Sequence, residues 1–442
     1  MRMRGTLIVV LAVTMAACKT DSTGPGGSNP LAGYIPAPPG PQWSGVATQV
    51  TMGEKAACLT APDGTVWCWG NRFGAGLPRI DDGLEGSNAW MIEDSICLKN
   101  YLVDDMKGWP CQVLHPVRIG TGVYTRIIES VDDGAFCAVD ASTKAFCWDQ
   151  GAYLATAYDS ISGGVEYCGK TPCAYSARPV RGGLIQQLYS PLCALSAAGA
   201  PLCRGYNSYN LLGDTPTLFS DSLIPVAGAP TATAMAVDPS GKFACALATT
   251  GKVYCWGWNE RGWGVGTDST GNQVKSPTLI MSNLTFKSLA AGHWSACAVS
   301  TGGTAYCWGY GGGGLLGWGG NGFSFKPVAV SGTHSFTSIV ASGIHFCALD
   351  TAGNAWCWGS NMNGELGVAR SPCDGATFCS SSPVEVPGGH TFTQLTAAVA
   401  GTCGLTTAGE VYCWGATEYG RLGPGPDPNV LPFNSTPVKI TP

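Results

Sequence analysis

Residues 295–308 read SACAVSTGGTAYCW. Cys297 and Cys307 stand symmetrically about Gly302, so folding the stretch back on itself sets Ala298 against Tyr306, Val299 against Ala305, and one sulfur against the other. Directly opposed residues of an antiparallel pair have Cα atoms about 4.5 to 5.5 Å apart, within the span of a disulfide. The stretch therefore predicts a β-hairpin clasped by a cross-strand bridge. Cys297, Val299, Ala305 and Cys307 share one face of it, and Ala298 and Tyr306 the other. Neither face is polar, so this sheet expects a neighbour on both sides.

The cysteine, nine residues, cysteine spacing occurs seven times: Cys58 with Cys68, Cys137 with Cys147, Cys193 with Cys203, Cys245 with Cys255, Cys297 with Cys307, Cys347 with Cys357 and Cys403 with Cys413. Successive first cysteines lie 79, 56, 52, 52, 50 and 56 residues apart, the period of a propeller blade rather than of a helical solenoid. The sixth position after the first cysteine is glycine in every unit but the second, which has Thr143, and a tight reversal there favours a residue tolerant of positive φ. Trp69, Trp148, Trp256, Trp308, Trp358 and Trp414 follow the second cysteine, with Arg204 in the third unit, a recurrence that reads as packing between blades. A glycine comes next except at Asp149, then a turn and an apolar-glycine step such as Leu316-Gly317. Each unit ends on a proline (116, 179, 225, 277, 327, 383 and 437) expected to open a short edge strand, where its missing N–H costs least.

This pattern resembles the regulator of chromosome condensation repeat family. Phe346-Cys347-Ala348-Leu349 through Trp356-Cys357-Trp358-Gly359-Ser360-Asn361-Met362-Asn363-Gly364-Glu365-Leu366-Gly367 is the closest copy, and the likeness extends over residues 46–441. It implies an all-β fold, a seven-bladed β-propeller of four-stranded blades. With Val46 to Met52 at one end and Pro437 to Ile440 at the other, the last strand is expected to complete the first blade and close the ring.

Of the 21 cysteines, six beyond the hairpins fall in three further pairs, Cys97–Cys111, Cys168–Cys173 and Cys373–Cys379, and Cys18 is left over. Ten bridges need an oxidising compartment. Residues 1–17 carry two arginines and a short apolar core, as a signal peptide does, and Met15-Ala16-Ala17-Cys18 looks like a bacterial lipobox with Cys18 as the lipidated residue. Lys19 favours the outer membrane, and free secretion is the alternative. Residues 18–45, rich in Gly, Pro, Ser and Thr, read as a disordered tether.

Three insertions, 72–115, 150–178 and 370–382, fall between the tryptophan strand and the proline strand and so are expected on one rim. Each has its own cysteine pair, and insertions at one position of a repeat commonly build a binding face. Their aromatics, Trp90, Tyr101, Trp109, Tyr153, Tyr158, Tyr167, Tyr175 and Phe378, are the candidate partner-binding residues, with packing inside their own loops as the plain alternative. The acidic Asp94, Asp104 and Asp105 read as solvated charge, and no metal or cofactor is expected.

Removing the signal leaves 22 basic residues against 29 acidic ones, which disfavours nucleic acid. His-Glu-x-x-His, Gly-x-Ser-x-Gly and Walker motifs are absent, and the spacing Gly309, Gly311, Gly314 sits in a glycine-rich loop. The five histidines are scattered, and His293/His345 and His334/His390 read as equivalent repeat positions. The bacterial secreted proteins that the chain resembles are binding proteins, a β-lactamase inhibitor among them. The expectation is a monomeric, non-enzymatic cell-envelope protein that binds a protein partner and touches the membrane through its N-terminal lipid. A glycan-binding propeller is the alternative, and a secreted hydrolase a distant third.

Overall fold

The computed structural model describes residues 43–442 apart from 54–55, 72–94, 97–111, 120–122, 130–135, 150–165, 169–170, 183, 191, 261–263, 267–270, 282, 375–376, 418–421 and 423–432. The signal segment, the tether as far as residue 42, Cys18, and the greater part of the first two insertions lie outside the described residues. Pro41–Pro442 is one compact unit.

Seven antiparallel sheets follow one another along the chain, four with four strands and three with five. In the fifth blade the order is Phe286–Gly292, Ser295–Ser300, Ala305–Gly309 and Ser324–Ala329, each strand paired with the next. The middle pair matches Ala298 with Tyr306, Val299 with Ala305 and Cys297 with Cys307. Ser300 donates its backbone N–H to Thr304 O at 2.8 Å, which makes 300/304 a hydrogen-bonded pair and, by alternation, 297/307 a non-hydrogen-bonded one. Such pairs bring side chains closest, and the two sulfurs are bonded across a Cα separation of 4.0 Å.

The other six hairpins carry the same bond between directly opposed residues. Cys58 is joined to Cys68, Cys137 to Cys147 and Cys245 to Cys255 across Cα separations of 4.0 Å. Cys347 is joined to Cys357 and Cys403 to Cys413 across 4.1 Å, and Cys193 to Cys203 across 4.2 Å.

The two faces of each sheet point to different neighbours. Cys297, Val299, Ala305 and Cys307 pack with Phe336, Ile339, Phe346 and Trp358 of the sixth blade. Ala296, Ala298 and Trp308, on the reverse, pack with Phe243, Leu247 and Val265 of the fourth. Seven apolar clusters result, one for each boundary between adjacent blades. The tryptophan after the second cysteine is fully buried at five of these boundaries, against the apolar-glycine step of the preceding blade. A Cβ on Gly317 would stand 2.8 Å from the Trp358 indole nitrogen. Trp256 and Trp414 donate their indole N–H to Leu211 O and Glu365 O of the previous blade at 2.9 and 3.0 Å.

Ring closure differs from the sequence expectation. The last strand, Phe433–Lys439, pairs with Val411–Ala416 of its own blade, and the first, Gln49–Met52, pairs with Ala56–Thr60 of its own. Among the described residues no strand is exchanged. Instead the hairpin turn of each blade hands a carbonyl to the first strand of the next: Tyr124, Ile185, Ala232, Phe286, Phe336 and Phe392 donate N–H to the O of Gly64, Thr143, Gly199, Gly251, Gly303 and Gly353 at 2.7 to 3.1 Å. Ala47 N–H to Gly409 O, at 2.8 Å, is the seventh such bond and joins the last blade to the first. Gln394 adds its side-chain amide to Val50 O at 2.9 Å, and Trp43 seals the cluster there. Each of these turn residues has positive φ, Thr143 (63°) included, so the one unit without glycine keeps the turn at the cost of some strain.

The prolines also differ from expectation. They lie inside or at the end of the fourth strand rather than at its start. Cys307 pairs with Val328 and Gly309 with Ser324, so four residues of the edge strand answer two of its partner, and Pro327 falls in that bulge. A bulge leaves backbone groups unpaired, which is where a residue lacking N–H fits. Pro116, Pro277, Pro383 and Pro437 hold the same place beside Val117, Thr278, Val384 and Val438. Pro179 and Pro225 close their strands opposite Phe146 and Leu202 instead.

Four strands per blade is the common frame, and the insertions add to it. Ser95–Ile96, Glu166–Cys168 and Pro372–Asp374 are short fifth strands in blades one, two and six. The fourth strands there begin at Gln112, Thr171 and Thr377, so the closing residues of each insertion belong to the sheet.

Candidate interaction face

Strand direction alternates within a blade. The turn from first to second strand and the connection from third to fourth therefore leave from one end, the connection face. The hairpin turns and the links between blades occupy the opposite end, the turn face. All three insertions start and finish on the connection face, because Val66–Asn71, Ala145–Asp149 and Ala355–Ser360 end there.

The exposed aromatics among the described residues collect on that same face. In blade three, Tyr206, the last residue of Pro201–Tyr206, is paired with Phe219, the first of Phe219–Pro225, and their ring centroids are 4.8 Å apart. Tyr206 is 64% exposed, and Tyr209 follows in the connection. In blade five, Trp294 occupies the two-residue turn between Gly292 and Ser295 with φ +60°, a costly conformation for a bulky side chain. Tyr310 meets it edge to face at 5.8 Å. Trp318 lies in the glycine-rich connection, which forms only a three-residue 3₁₀ turn, Gly312–Gly314, and Phe323 and Phe325 (5.1 Å apart) flank Ser324, the first residue of the strand that follows. The exposed large apolar residues of the turn face are the aliphatic Val46, Val123, Leu184 and Leu279, each in a different blade.

Of the eight candidate partner-binding aromatics, Phe378 alone has a described side chain. Its ring carries the Arg370 guanidinium at 4.7 Å, and Phe433 of the seventh blade covers the same guanidinium at 4.2 Å. Trp90, Tyr101, Trp109, Tyr153 and Tyr158 lie outside the described residues; Tyr167 and Tyr175 are described as backbone only, within Glu166–Cys168 and Thr171–Pro179. Cys373 is bonded to Cys379, tying the third insertion to its strand. The pairs Cys97–Cys111 and Cys168–Cys173 rest on side chains outside the described residues.

The histidines separate into three environments. His334 and His390 are equivalent, each just before the first strand of its blade and against an aromatic ring of the third, Trp356 at 4.1 Å and Tyr412 at 4.0 Å. His345 is not the counterpart of His293: it pairs with Gly359 as Ser295 pairs with Gly309, which puts His293 in the turn ahead of the strand. His293 Nδ1 lies 3.5 Å from the buried Asp238. His345 is fully buried between blades six and seven, its Nδ1 2.7 Å from Ser342 Oγ and its Nε2 2.8 Å from Thr402 Oγ1. Thr402 in turn donates to Glu365 O at 3.0 Å. Burial pushes the His345 pKa down to about 3, so the ring is neutral. The Ser342–His345 pair has the spacing of a nucleophile and its base, but both residues are sealed from solvent. Among the described residues no three His, Cys, Asp or Glu side chains converge as a metal site would require, and no helix is long and apolar enough to cross a membrane.

The regulator of chromosome condensation (RCC1) repeat model matches residues 240–262, the second and third strands of blade four, and 336–365, the first three strands of blade six. The fourth and sixth blades thus carry the RCC1-type repeat. Over 179 residues, 39% of its length, it is 34% identical to the human E3 ubiquitin-protein ligase HERC2, of which the matched stretch spans 4%. The mouse HERC2 matches to the same extent. Two solved structures share the fold at low identity. Human WBSCR16 superposes with a TM-score of 0.62 at 17% identity, covering 85% of this chain and 94% of that one. Prp20p of Saccharomyces cerevisiae, whose structure was described with its binding to Gsp1p and histones, superposes with a TM-score of 0.59 at 16% identity, covering 79% and 80%. The eight disulfides of the described residues require an oxidising compartment.

Proposed function

We propose that this RCC1-type propeller is a non-enzymatic binding protein that takes a protein partner on its connection face. The one-sided distribution of exposed rings carries the reading. Aromatic residues are the commonest anchors of protein interfaces, and here they stand on the face that also gives rise to the insertions, while the turn face repeats the same backbone link seven times. A β-sheet frame holds these rings in place, so little ordering is needed on binding. In the full reading the chain is exported, held at the cell envelope by a lipid on Cys18, and reaches its partner from the tether of residues 18–45.

The test compares two variants of the mature chain in capture from a cell-envelope extract, with melting temperature as the control for folding. Tyr206→Ser/Trp318→Ser/Phe323→Ser is expected to lose the captured protein and keep its stability. Val123→Ser/Leu184→Ser, on the opposite face, is expected to retain capture. Loss by the second variant, or retention by the first, contradicts the reading. Saturable binding on a glycan array that the first variant abolishes would replace the protein partner with a sugar.

A further inference from the structure

Resting on that reading of the connection face, we infer that Arg370, at the boundary of blades six and seven, is a carboxylate-binding site that takes an aspartate or glutamate side chain of the protein partner. Its guanidinium stands over two rings, Phe378 of blade six at 4.7 Å and Phe433 of blade seven at 4.2 Å, and Nη1 donates to Met362 O at 3.1 Å. Contact with a π surface stabilises the charge but uses no N–H group. Of the five donors of a guanidinium only one on Nη1 is engaged, and among the described residues no carboxylate pairs with the cation. Glu365, on the same loop, is fully buried and directed elsewhere: its Oε1 accepts from Ser360 Oγ at 2.7 Å and its Oε2 from Asn363 N at 2.6 Å. The Nε and Nη2 donors are left as a planar fork, the geometry that matches the two oxygens of a carboxylate.

The fork is held in place before anything binds. Asn361 donates its side-chain amide to Val368 O and Ala369 O at 3.1 and 3.4 Å and accepts from Leu366 N at 3.2 Å, which fixes the loop as far as Arg370. On the other side, Ser371 O accepts from Cys379 N at 3.2 Å, and the Cys373–Cys379 bond ties the following residues to the strand that carries Phe378. Phe433 is seated closely on the same loop, since a Cβ on Gly364 would stand 3.1 Å from its ring. An arginine held in this way has given up much of its freedom already, so little ordering is needed when an oxyanion arrives. The sign of the charge selects the occupant. Lys242, 5.9 Å from the centre of Trp258, is the other charged group set against a ring of this face, and it too is a cation. A basic segment would be repelled from Arg370, and an apolar one would strip water from its free donors without replacing the hydrogen bonds. One guanidinium balances the single charge of one carboxylate. Met362, 44% exposed beside it, offers apolar contact to the residue next to that acid.

The experiment selects peptides from a random phage-displayed library on the immobilised mature chain and measures the best synthetic peptide in solution. The recovered sequences are expected to be enriched in aspartate and glutamate. Replacing the peptide's acid by its amide should weaken binding to the parent chain by about tenfold or more and change nothing further with Arg370→Gln, because the two substitutions remove the same contact. Arg370→Lys, which keeps the charge and loses the fork, should recover only part of the affinity. Should either variant melt early, the amide substitution still reads the contact on the parent chain. Peptides without an excess of acid, or an acid whose replacement costs nothing or costs as much with Arg370→Gln, would overturn the carboxylate site. A phosphoserine that binds more than about tenfold tighter than the acid it replaces would overturn it in favour of a phosphate. If the peptides in such cases still lose affinity for Tyr206→Ser/Trp318→Ser/Phe323→Ser, the interaction face stands without this site. Recovery of no peptide, or peptides indifferent to every variant, would overturn both.

Discussion

The two ends of the disc are built by opposite rules. At the turn face each blade repeats one construction: a hairpin reversal whose carbonyl accepts the first N–H of the next blade, ending with Gly409 and Ala47. At the connection face the described connections differ in length and content. One has a glycine-rich loop with Trp318, another an Arg370 held between rings, and three grow fifth strands. The repeated end fixes the ring and the varied end is free to carry recognition, because a change in a connection touches one blade, whereas a change in a turn disturbs a boundary between two.

Two tryptophans give the sharpest contrast. Trp358 is buried on Gly317 of the preceding blade, and Trp318 is 40% exposed in a connection. Trp358→Ala should cost about 3 to 5 kcal/mol in urea unfolding, against less than about 0.5 kcal/mol for Trp318→Ala. Equal losses would mean that the exposed ring serves the fold. Replacing both Cys347 and Cys357 by alanine should remove about 2 to 3 kcal/mol by releasing a short loop in the unfolded chain. Reducing agent should then add less destabilisation to that variant than to the parent.

Glycines at the two ends offer a finer comparison. Gly303, in a turn, and Gly319, in a connection, share φ +93°. A Cβ on Gly303 would stand 2.7 Å from Ser335 Oγ in the next blade, whereas one on Gly319 meets nothing within 4 Å. Alanine should cost roughly 1 to 2 kcal/mol at Gly319 from backbone conformation alone and clearly more at Gly303, read from paired thermal melts.

His345 tests whether burial rather than face decides the role of a residue, since it lies at the varied end but within a boundary. Unfolded, its ring binds a proton near pH 6.5; folded, it stays neutral down to about 3. The unfolded chain thus holds more protons in this window, so the stability from the neutral ring is full above pH 6.5 and is lost as pH falls towards 3. Between pH 7 and 5 the loss should be about 2 kcal/mol, and His345→Gln should flatten that part of the pH profile. An unchanged profile would place the proton elsewhere.

Much of the frame was legible in the sequence because symmetry about one glycine fixes a hairpin register, and seven copies fix the architecture. Periodicity does not encode the rest. A two-residue bulge moves Pro327 into the strand without altering the repeat, so spacing alone set the proline at the strand's start. Val46 to Met52 looks like the missing partner of a trailing strand, yet Thr51 faces Cys58 of its own hairpin and the seam is made by side-on packing and one turn carbonyl. His293 and His345 lie at similar distances from their cysteines, but the first is in a turn and the second in the strand after one. Tyr206, Trp294, Trp318 and Phe323 recur at no fixed place in the repeat and lie in connections without an insertion to mark them. Their signal was present: large rings inside connections otherwise made of glycine and small polar residues.

The most direct test of the division between the two ends is hydrogen–deuterium exchange of the mature chain with and without its captured partner. Slowed exchange is expected at residues 206–219, 293–295, 310–325 and 362–378, with the hairpin turns at 61–65, 248–252, 300–304 and 350–354 unchanged. Protection centred on those turns, with the connections unaffected, would contradict the account.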